Sequence, residues 1–469
     1  MVRLSEPADN GTYLVNLISP ARILGKTERP VSSVSIDSRD IQNDTLFIPL
    51  IGERADGHDY MAQAYEKGAR AFFVGAHRHK DADELFASMG DALFICVEDT
   101  LSALQEMAGN HVASFGGITR IGITGSSGKT TTKECVAAIL SQKGKVVSNA
   151  GNLNSEIGLP LSVMALDEAC EYAVFEMGMN RVGEMDILAD ILRPEYAVIT
   201  NVGTAHIGLL GSRDSIAAEK RKALKYIQNG GNAVLWDADD YLGFLSAPYA
   251  GSCSLFGVES MKDRADVRSE GLEGSVLTYR DVEIHLPLPG KYNAYNALSA
   301  IRLAELLDVS PGMIKEGLES VKPLFGRGQV WKGRVVILSD CYNANLESMR
   351  SSIDFFSSLD EKGVKHYVLG SMKELGGETR KAHEELGSFL ASAVSSDPIY
   401  LFGDEMKDAY KALRKSHNVF WTEHYEDLKN RLIKSISVGD YILLKGSRSM
   451  ELERLIDEVE HAFAGSGIC

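Results

Sequence analysis

One stretch of this sequence combines residue types that can hold a phosphate: T-R-I-G-I-T-G-S-S-G-K-T-T-T-K-E at 119–134. The apolar, β-branched run before residue 125 predicts a strand. The glycines and serines of 125–128 predict a tight turn, and the residues of 130–140 predict a helix. Glycines let the backbone approach an anion, the helix start offers unpaired N–H groups, and Lys129 adds a positive charge. The hydroxyl of Thr130 is then placed to bind a Mg²⁺ shared with nucleotide phosphates. The stretch predicts a nucleoside triphosphate site.

The spacing of this turn departs from the full G-x-x-x-x-G-K-[ST] pattern, because Ile123 stands where the first glycine is expected. Only G-x-x-G-K-T remains. The alternative is an ordinary glycine-rich turn with a solvated lysine. The phosphate interpretation is favoured because a strand is predicted directly before the turn and a helix directly after it.

Two further side chains at strand ends could bind a metal. Glu176 falls at the end of a predicted strand at 172–177, and His206 follows another at 196–201. Glu176 with Thr130 could hold one Mg²⁺ and His206 a second. The alternatives are a solvated carboxylate and a structural histidine. Ligands of parallel sheets collect at the carboxyl ends of strands, which favours the metal interpretation.

The elements that must position these residues alternate between strand and helix, which predicts an α/β fold with mostly parallel sheets. At 469 residues the chain exceeds what one core usually fills, so we expect three domains. The first, 1–113, would bind a substrate. The second, 114–323, would be a P-loop domain, and the third, 324–469, a Rossmann-like doubly wound domain that closes over the nucleotide.

Composition excludes several classes of protein. The formal net charge of −16 argues against nucleic acid as a partner. No run approaches the 18 apolar residues of a membrane span, and Met1 to Asn10 lacks a signal-peptide pattern, so we expect a cytoplasmic protein. We also expect a monomer. The six cysteines are scattered, which predicts reduced, mostly buried thiols and neither disulfides nor a zinc site.

Several motifs taken together resemble the Mur ligases of bacterial cell-wall synthesis, and the resemblance covers nearly the whole chain in order. Within that family, the motifs are most similar to those of the member that joins D-Ala-D-Ala to UDP-N-acetylmuramoyl-tripeptide. The motifs are G-S-S-G-K-T-T-T-K-E, G-N-L-N-S-E-I-G-L-P-L, F-E-M-G-M-N-R-V-G-E-M, R-P-E-Y-A-V-I-T-N-V-G-T-A-H-I, P-G-K-Y-N-A-Y-N-A-L-S-A, D-C-Y-N-A-N-L-E-S-M and K-G-S-R-S-M-E.

The resemblance implies a mechanism in which ATP phosphorylates the terminal carboxylate of the UDP-tripeptide, the amine of D-Ala-D-Ala attacks, and phosphate leaves. Lys129 and two Mg²⁺ would offset the repulsion between the two anions. The implied catalytic residues are Lys129, Glu176, His206 and Lys220, of which Lys220 matches a lysine that becomes a carbamate in relatives. The implied metal ligands are Thr130, Glu176 and His206.

The resemblance also implies two sets of binding residues. Those for ATP are Gly125, Ser126, Ser127, Gly128, Lys129, Thr130, Thr131, Asn293, Asn296, Arg327 and Asp340. Those for the UDP-substrate and the dipeptide are Ser38, Arg39, Asn152, Asn154, Asn180, Lys445 and Ser447. Taken singly, an asparagine at a helix start can be a cap, and a lone arginine or aspartate a surface charge.

Two other functions remain open from the sequence. One is a sister ligase that adds a single amino acid or glutamate, and the other is a non-enzymatic ATP-dependent switch. D-C-Y-N-A-N-L-E-S-M and L-G-S-M-K-E-L-G favour the dipeptide ligase, and no D-N-P-R-like motif of the diamino-acid ligase is present. A switch would not need Glu176, His206 and Lys220 in addition to a phosphate turn.

Overall fold

A computed structural model describes residues 1–8, 12–26, 30–228, 230–247, 252–415 and 417–464. Its contacts divide the chain into two compact units. The first unit comprises Met1–Thr124, Lys143–Val198 and Arg221–Ala233. The second unit comprises Gly125–Gln142, Ile199–Lys220 and Val234–Cys469.

The amino-terminal part of the first unit contains a six-stranded sheet and four helices that lie between or after its strands along the chain. Its strands are β1 (Val2–Ala8), β2 (Arg22–Leu24), β3 (Val31–Ser35), β4 (Thr45–Phe47), β5 (Ala69–Gly75) and β6 (Leu93–Val97), and its helices are α1 (Thr12–Asn16), α2 (Met61–Glu66), α3 (Ala82–Ser88) and α4 (Thr100–Ala113). The strand order is β1-β3-β4-β5-β6-β2. The inner strands β3 to β6 are parallel, and β1 and β2 are antiparallel edges.

The apolar character of the inner strands explains why this sheet is buried on both faces. Strand β5 reads A-R-A-F-F-V-G, a near-continuous apolar run of the kind found in parallel strands covered on both sides. Phe73 packs into one cluster with residues of α1 and α4, whereas Phe72 packs into the other and stacks on Phe94 at 5.3 Å between ring centroids.

The central region forms a second sheet. Its strands are β7 (Thr119–Thr124), β8 (Val146–Ser148), β9 (Tyr172–Glu176), β10 (Tyr196–Ile199), β11 (Asn232–Trp236) and β12 (Ser252–Phe256), and its helices are α5 (Lys129–Leu140), α6 (Gly158–Val163), α7 (Glu184–Leu192), α8 (Ile207–Leu210), α9 (Arg213–Lys225), α10 (Leu242–Ser246) and α11 (Val258–Met261). The strand order is β12-β11-β10-β7-β9-β8, and β7, β8 and β9 run parallel. The predicted strand–turn–helix at the phosphate motif is confirmed by β7 and α5.

A small antiparallel sheet and two helices follow in the second unit. They are β13 (Ala265–Ser269), β14 (Ser275–Tyr279), β15 (Val282–Leu286), α12 (Lys291–Leu306) and α13 (Pro311–Ser320). Helix α13 begins at Pro311, and the side chain of Ser310 caps it by accepting from the Met313 N–H.

The carboxy-terminal part of the second unit is a doubly wound domain. Its strands are β16 (Gln329–Lys332), β17 (Val336–Ser339), β18 (Lys365–Gly370), β19 (Ile399–Phe402), β20 (Val419–Thr422) and β21 (Tyr441–Lys445), and its helices are α14 (Leu346–Ser357), α15 (Thr379–Ala393), α16 (Met406–Leu413), α17 (Tyr425–Ile433) and α18 (Arg454–Ala464). The order is β16-β17-β21-β18-β19-β20, parallel except for the edge strand β16. Two apolar clusters cover this sheet.

The α/β fold class is confirmed, and the differences from prediction lie at element ends and in short strands. At the carboxy-terminal end, a turn of 3-10 helix, Arg448–Met450, precedes α18, which begins at Arg454. Strands β8, β12 and β16 carry too short an apolar pattern to be predicted. Of the cysteines that the structure describes, all are unbonded and only Cys253 is exposed, whereas Cys469 lies outside the described residues. No helix among the described residues is both long and apolar enough to cross a bilayer.

Candidate active site

The phosphate turn of the second unit depends on two glycines. Gly125 has φ 153° and Gly128 has φ 81°, conformations that side-chain-bearing residues rarely adopt. A Cβ at Gly125 would lie 1.8 Å from Thr200 Oγ1, and one at Gly128 would lie 2.3 Å from Asn296 Oδ1. Both positions therefore require glycine, because the backbone conformation disfavours a side chain and a Cβ would collide with a neighbouring residue.

The segment after β10 holds the middle of this turn. Asn201 Oδ1 accepts from the Ser127 N–H and Asn201 Nδ2 donates to the Ser127 carbonyl, each at 3.1 Å, so one amide pairs with both polar groups of one residue. The hydroxyl of Thr200 donates to the same carbonyl at 2.5 Å. The Gly203 N–H donates to Ser126 Oγ at 2.8 Å. These contacts fix the turn independently of any nucleotide.

The two residues with the most direct chemistry follow the turn. Lys129 is the first residue of α5, and its ammonium donates to the Gly125 carbonyl at 2.9 Å, which folds the side chain back over the turn. Thr130 is 4% exposed, so its hydroxyl is buried at the start of the helix. A cation and a hydroxyl beside a helix N-terminus form the arrangement that binds phosphates with a divalent cation.

Glu176, in the first unit, is buried at the end of β9. Asn149 holds its main chain from both sides, because the amide accepts from the Glu176 N–H and donates to the Glu176 carbonyl, each at 3.0 Å. Asn154 Nδ2 donates to the carboxylate at 2.6 Å. The carboxylate therefore has a fixed orientation, and Asn154, predicted to contact the substrate, contacts Glu176.

His206, in the second unit, precedes α8 and has φ 61°, an uncommon conformation for a residue with a side chain. Its Nδ1 lies 2.7 Å from Glu374 Oε2, in a close contact that is not aligned for a ring N–H hydrogen bond. This neighbour lowers the pKa of Glu374, although burial acts in the opposite direction. In the described part of the chain, Nε2 makes no hydrogen bond.

The start of α14 also contacts the residues around the phosphate turn, within the second unit. Asn345 caps the helix through Ser348, and its Nδ2 donates to Ser127 Oγ at 3.1 Å. Glu347 accepts from the N–H of Thr204 at 3.1 Å and from its hydroxyl at 2.8 Å. The D-C-Y-N-A-N-L-E-S-M motif thus contacts the turn through an amide, and the segment after β10 through a carboxylate.

Lys220 is 2% exposed in α9, next to the equally buried Glu219. Lysine is almost never fully buried unless it interacts with a partner, so Lys220 is not an ordinary exposed helix lysine. The side chain has interactions of its own. Its predicted catalytic role stays a prediction.

The predicted nucleotide residues of the second unit form two groups, and the first is at the start of α12. Asn293 is buried and donates to the Pro289 carbonyl at 2.8 Å, whereas Asn296 packs against Gly128 of the phosphate turn. Asn293 does not cap the helix, whose first flanking residue is Gly290. Arg327 stacks over the ring of Tyr342, with 4.0 Å from the guanidinium carbon to the ring centroid.

The second group is centred on Asp340, at the end of β17. Asp340 Oδ2 accepts from Ser352 Oγ at 2.5 Å and lies 3.0 Å from Lys445 Nζ. Lys445 is buried and also donates to the Asn343 carbonyl at 2.9 Å. Ser447 accepts from the Lys373 N–H at 2.9 Å. Lys445 thus orients Asp340, and Ser447 orients the loop that carries Glu374.

The remaining predicted substrate residues lie in the first unit. Ser38 donates to Gln63 Oε1 at 3.0 Å, and Arg39 forms an ion pair with Asp37 at 2.7 Å. The hydrogen bonds from Arg39 lower the pKa of Asp37 to about 2. Asn152 and Asn180 have exposed side chains.

The structure also brings together Asp56, His58 and His77, which the sequence analysis did not connect. His58 Nε2 accepts from the Gly75 N–H at 2.9 Å, so the ring proton is on Nδ1, which lies 2.6 Å from Asp56 Oδ1. His77 and Arg78 contact the other oxygen of Asp56. Because a proton and a guanidinium already occupy the carboxylate, the cluster fixes the loop and does not suit a cation.

Several site residues were not identified as such from the sequence. Except for Asn149, which lies just before a recognised motif, they belong to motifs that were recognised, but a strand-end amide or a loop carboxylate has no periodicity that separates it from a solvated residue. The only signal was the motif itself, T-N-V-G-T, N-A-N-L-E or M-K-E-L-G. These residues are Asn149, Thr200, Asn201, Asn345, Glu347 and Glu374.

Three family profiles match the chain. They are described as the Mur ligase family catalytic domain, residues 30–111, the Mur ligase middle domain, residues 123–304, and the Mur ligase glutamate ligase domain, residues 326–448. The middle-domain match spans the phosphate turn, Glu176, His206 and Lys220.

Relatives match over nearly the full length. The UDP-N-acetylmuramoyl-tripeptide--D-alanyl-D-alanine ligase of Treponema pallidum is 41% identical over 91% of this chain and 93% of its own. A crystal structure of MurF from Acinetobacter baumannii is 28% identical, with a TM-score of 0.86 over 98% of this chain and 100% of that one. MurF from Thermotoga maritima, solved with ADP, is 27% identical, with a TM-score of 0.78 over 93% and 98%. The identity and the coverage show that the chain belongs to the Mur ligase family.

Proposed function

We propose that this chain uses ATP to join D-Ala-D-Ala to UDP-N-acetylmuramoyl-tripeptide, through an acyl-phosphate, and releases ADP and phosphate. The observation that carries the proposal is the similarity to ligases of that name over more than nine-tenths of the chain. The phosphate turn and the residues that hold it in the absence of a ligand support the ATP-dependent step. In this reaction a precursor of the bacterial cell wall gains its last two residues.

The residues of the phosphate turn have separate roles in this reaction. N–H groups at the start of α5 and the ammonium of Lys129 bind the phosphates, and Asn201 and Thr200 keep the Ser127 peptide in place. When the substrate carboxylate attacks the γ-phosphate, both groups are anionic. Positive charge that is already oriented lowers the barrier without reorganisation at the moment of reaction.

The donors proposed for two Mg²⁺ are the hydroxyl of Thr130 and the carboxylate of Glu176 for one ion, and the imidazole of His206 for the other. Two observations fit this role: the Thr130 hydroxyl is buried at the start of α5, and His206 Nε2 has no hydrogen bond among the described residues. Mg²⁺ favours oxygen ligands and keeps several waters, so few protein donors suffice. The cations would neutralise phosphate charge.

We propose further that the side chain of Lys220 is modified to a carbamate. An ammonium near a divalent cation would repel it, whereas a carbamate formed with CO₂ carries a negative charge and oxygen donors. The burial of Lys220 supports a specific role and excludes a solvated one. Because ATP and UDP-linked precursors are made in the cytoplasm, we place the reaction there. A monomeric state stays a prediction.

The experiment that tests the proposed function is product analysis by mass spectrometry. The protein is incubated with ATP, Mg²⁺, UDP-N-acetylmuramoyl-peptides and candidate amines. The peptides include the dipeptide and tripeptides ending in lysine or diaminopimelate, and the amines are D-Ala-D-Ala, D-Ala, D-glutamate and diaminopimelate. We expect product only from a tripeptide with D-Ala-D-Ala, and phosphate release only when both are present. Product with a single amino acid would identify a sister ligase, and phosphate release from ATP alone would favour a switch.

A further inference from the structure

The loop after β18 carries a charged residue, Glu374, that the proposed function does not use. This residue contacts the His206 region twice within the second unit. Its carboxylate Oε2 lies 2.7 Å from His206 Nδ1, and its carbonyl accepts from the Gly208 N–H at 3.0 Å. One residue of the M-K-E-L-G motif therefore contacts both the ring and the helix that follows it.

The backbone around this contact is adapted to it. A Cβ at Gly208 would lie 2.3 Å from the Gly376 nitrogen and 2.7 Å from the Glu374 carbonyl oxygen, so the two segments approach closely only because glycine stands there. His206 itself has φ 61°, which costs conformational energy for a residue with a side chain. Strain of this kind persists where the surrounding structure holds a side chain in a required direction.

The exposure of the pair indicates what the contact does. The His206 side chain is 19% exposed, whereas that of Glu374 is 55% exposed. A contact between a carboxylate and an imidazole with one partner in solvent contributes little to the stability of the fold. Its effect is therefore on the orientation and protonation pattern of the imidazole. A carboxylate at Nδ1 favours the tautomer with the proton on Nδ1, which leaves the lone pair of Nε2 available to a ligand.

We propose that Glu374 is a positioning residue that orients His206 and fixes its tautomer, so that Nε2 accepts the divalent cation bound with the nucleotide. The inference rests on the proposed function, because His206 is a metal ligand only there. It assigns to the M-K-E-L-G motif an indirect role in metal binding, in which Glu374 acts on the cation through the side chain of His206. The glutamate ligase domain thus contributes to a metal ligand carried by the middle domain.

Metal affinity is the first test, measured with Mn²⁺ by electron paramagnetic resonance in the presence of a non-hydrolysable ATP analogue. We expect Glu374→Gln to weaken Mn²⁺ binding about 10-fold to 100-fold, as for other carboxylates that orient a metal-bound histidine. Glu378→Gln is the matched control, because Glu378 is 48% exposed in the same loop and lies 3.5 Å from Lys381. It should bind Mn²⁺ as the wild type does. Thermal unfolding should be the same for all three proteins.

A double-mutant cycle separates orientation from general electrostatics. In a His206→Ala background, adding Glu374→Gln should cause no further loss of Mn²⁺ affinity, because the carboxylate acts through the ring. An equal loss with and without His206 would overturn the proposal. Wild-type affinity in Glu374→Gln would overturn it as well.

The tautomer of His206 is a second readout that needs no metal. In ¹⁵N-labelled protein, the ring nitrogens of His206 should report the Nδ1–H form in the wild type and in Glu378→Gln. They should report a mixture of forms in Glu374→Gln. An unchanged tautomer in Glu374→Gln would contradict the proposal. If the wild type forms no ligation product and binds no Mn²⁺ with nucleotide, the proposed function fails, and the tautomer still decides whether Glu374 orients His206.

Discussion

At this site, asparagine side chains form the hydrogen bonds that a neighbouring strand would otherwise form with the main chain. Asn149 pairs with the N–H and carbonyl of Glu176, and Asn201 pairs with those of Ser127. An amide offers a donor and an acceptor together, so it can satisfy a strand-end peptide that has no further strand partner. Glu176 and the turn at Ser127 are therefore each held by an amide that pairs with both polar groups of the main chain.

Lys129 and Glu176 should be essential for turnover but not for folding. Their predicted role is to supply charge and metal ligation to the phosphoryl transition state, and loss of one such preorganised contact costs about 3 kcal/mol or more. We expect Lys129→Ala and Glu176→Ala to lower kcat at least about 100-fold in the ligase assay. Their circular dichroism spectra should match that of the wild type. Activity within a few-fold of the wild type would remove either residue from the mechanism.

Lys220 gives a chemically specific prediction. If its side chain is a carbamate, Lys220→Ala should be nearly inactive and partly recover with formate or acetate, because a small carboxylate can occupy the vacated space and restore the negative charge. Chloride at matched ionic strength is the control. Turnover is measured with and without each salt. Recovery with chloride, or wild-type activity without any addition, would contradict the assignment.

At the scale of elements, a buried carboxylate joins the small sheet to α12, the helix that carries Asn293 and Asn296. Glu305 is only 5% exposed as a side chain and lies 2.9 Å from Arg264, 3.3 Å from Arg280 and 2.6 Å from Arg302. The hydroxyl of Tyr279 donates to it at 2.9 Å. Burial alone would raise the pKa of Glu305, but the hydrogen bonds from Arg302 and Tyr279 outweigh it, and the pKa is lowered.

Replacing Glu305 should therefore destabilise this part of the fold in a pH-dependent way. Glu305→Gln leaves three arginines without their carboxylate, which should lower the free energy of unfolding by about 3 kcal/mol at pH 7. Because the folded-state pKa lies below the ordinary 4.5, the carboxylate stabilises the fold above that pH, and this contribution is lost as the pH falls through the lowered value.

Urea unfolding at pH 7 and below pH 4 measures this effect. Glu259→Gln is the control, because Glu259 is 78% exposed and pairs only with Lys262 among the described residues. The difference between Glu305→Gln and the wild type should shrink at the lower pH. A difference that is independent of pH would indicate a packing effect and contradict the electrostatic explanation.

The elements could be predicted from the sequence to a greater extent than the contacts between their ends. Alternation of apolar strands and helices predicted β9 and α5 to within about one residue, because burial repeats along the chain. The contact of Asn345 with Ser127 joins residues 218 positions apart. No local pattern encodes such a pair. The contact of the Lys445 ammonium with Asp340 joins residues at the ends of two different strands and likewise has no local pattern, whereas the expected role of Lys445 at the dipeptide stays a prediction.

At the scale of the molecule, the middle domain and the glutamate ligase domain meet around the phosphate turn within the second unit. Asn345, Glu347 and Glu374 come from the carboxy-terminal part, and they contact Ser127, Thr204 and His206 respectively. These are side-chain contacts with polar, partly exposed groups. Apolar residues of the central region also pack against the apolar cluster of the carboxy-terminal part, so the two parts are joined by polar and apolar contacts together.

A substitution at the backbone contact between Gly208 and Gly376 should weaken the contacts between the two domains. A Cβ at Gly208 would come within 2.3 to 2.7 Å of main-chain atoms of residues 374–376, which cannot rotate away as a flexible side chain would. We expect Gly208→Ala to bind a non-hydrolysable ATP analogue with an affinity within a few-fold of the wild type, because the phosphate turn is unchanged. Ligation should fall at least about 10-fold, because the residues that meet around the turn are displaced.

Small-angle X-ray scattering with the ATP analogue and UDP-tripeptide should give a larger radius of gyration for Gly208→Ala than for the wild type. Gly243→Ala is the control, because a Cβ at Gly243 meets nothing within 4 Å and the residue lies in α10. That variant should match the wild type in scattering and in turnover. If Gly208→Ala has wild-type turnover, ligation does not depend on this contact. If it is inactive with an unchanged radius of gyration, the loss arises locally at His206.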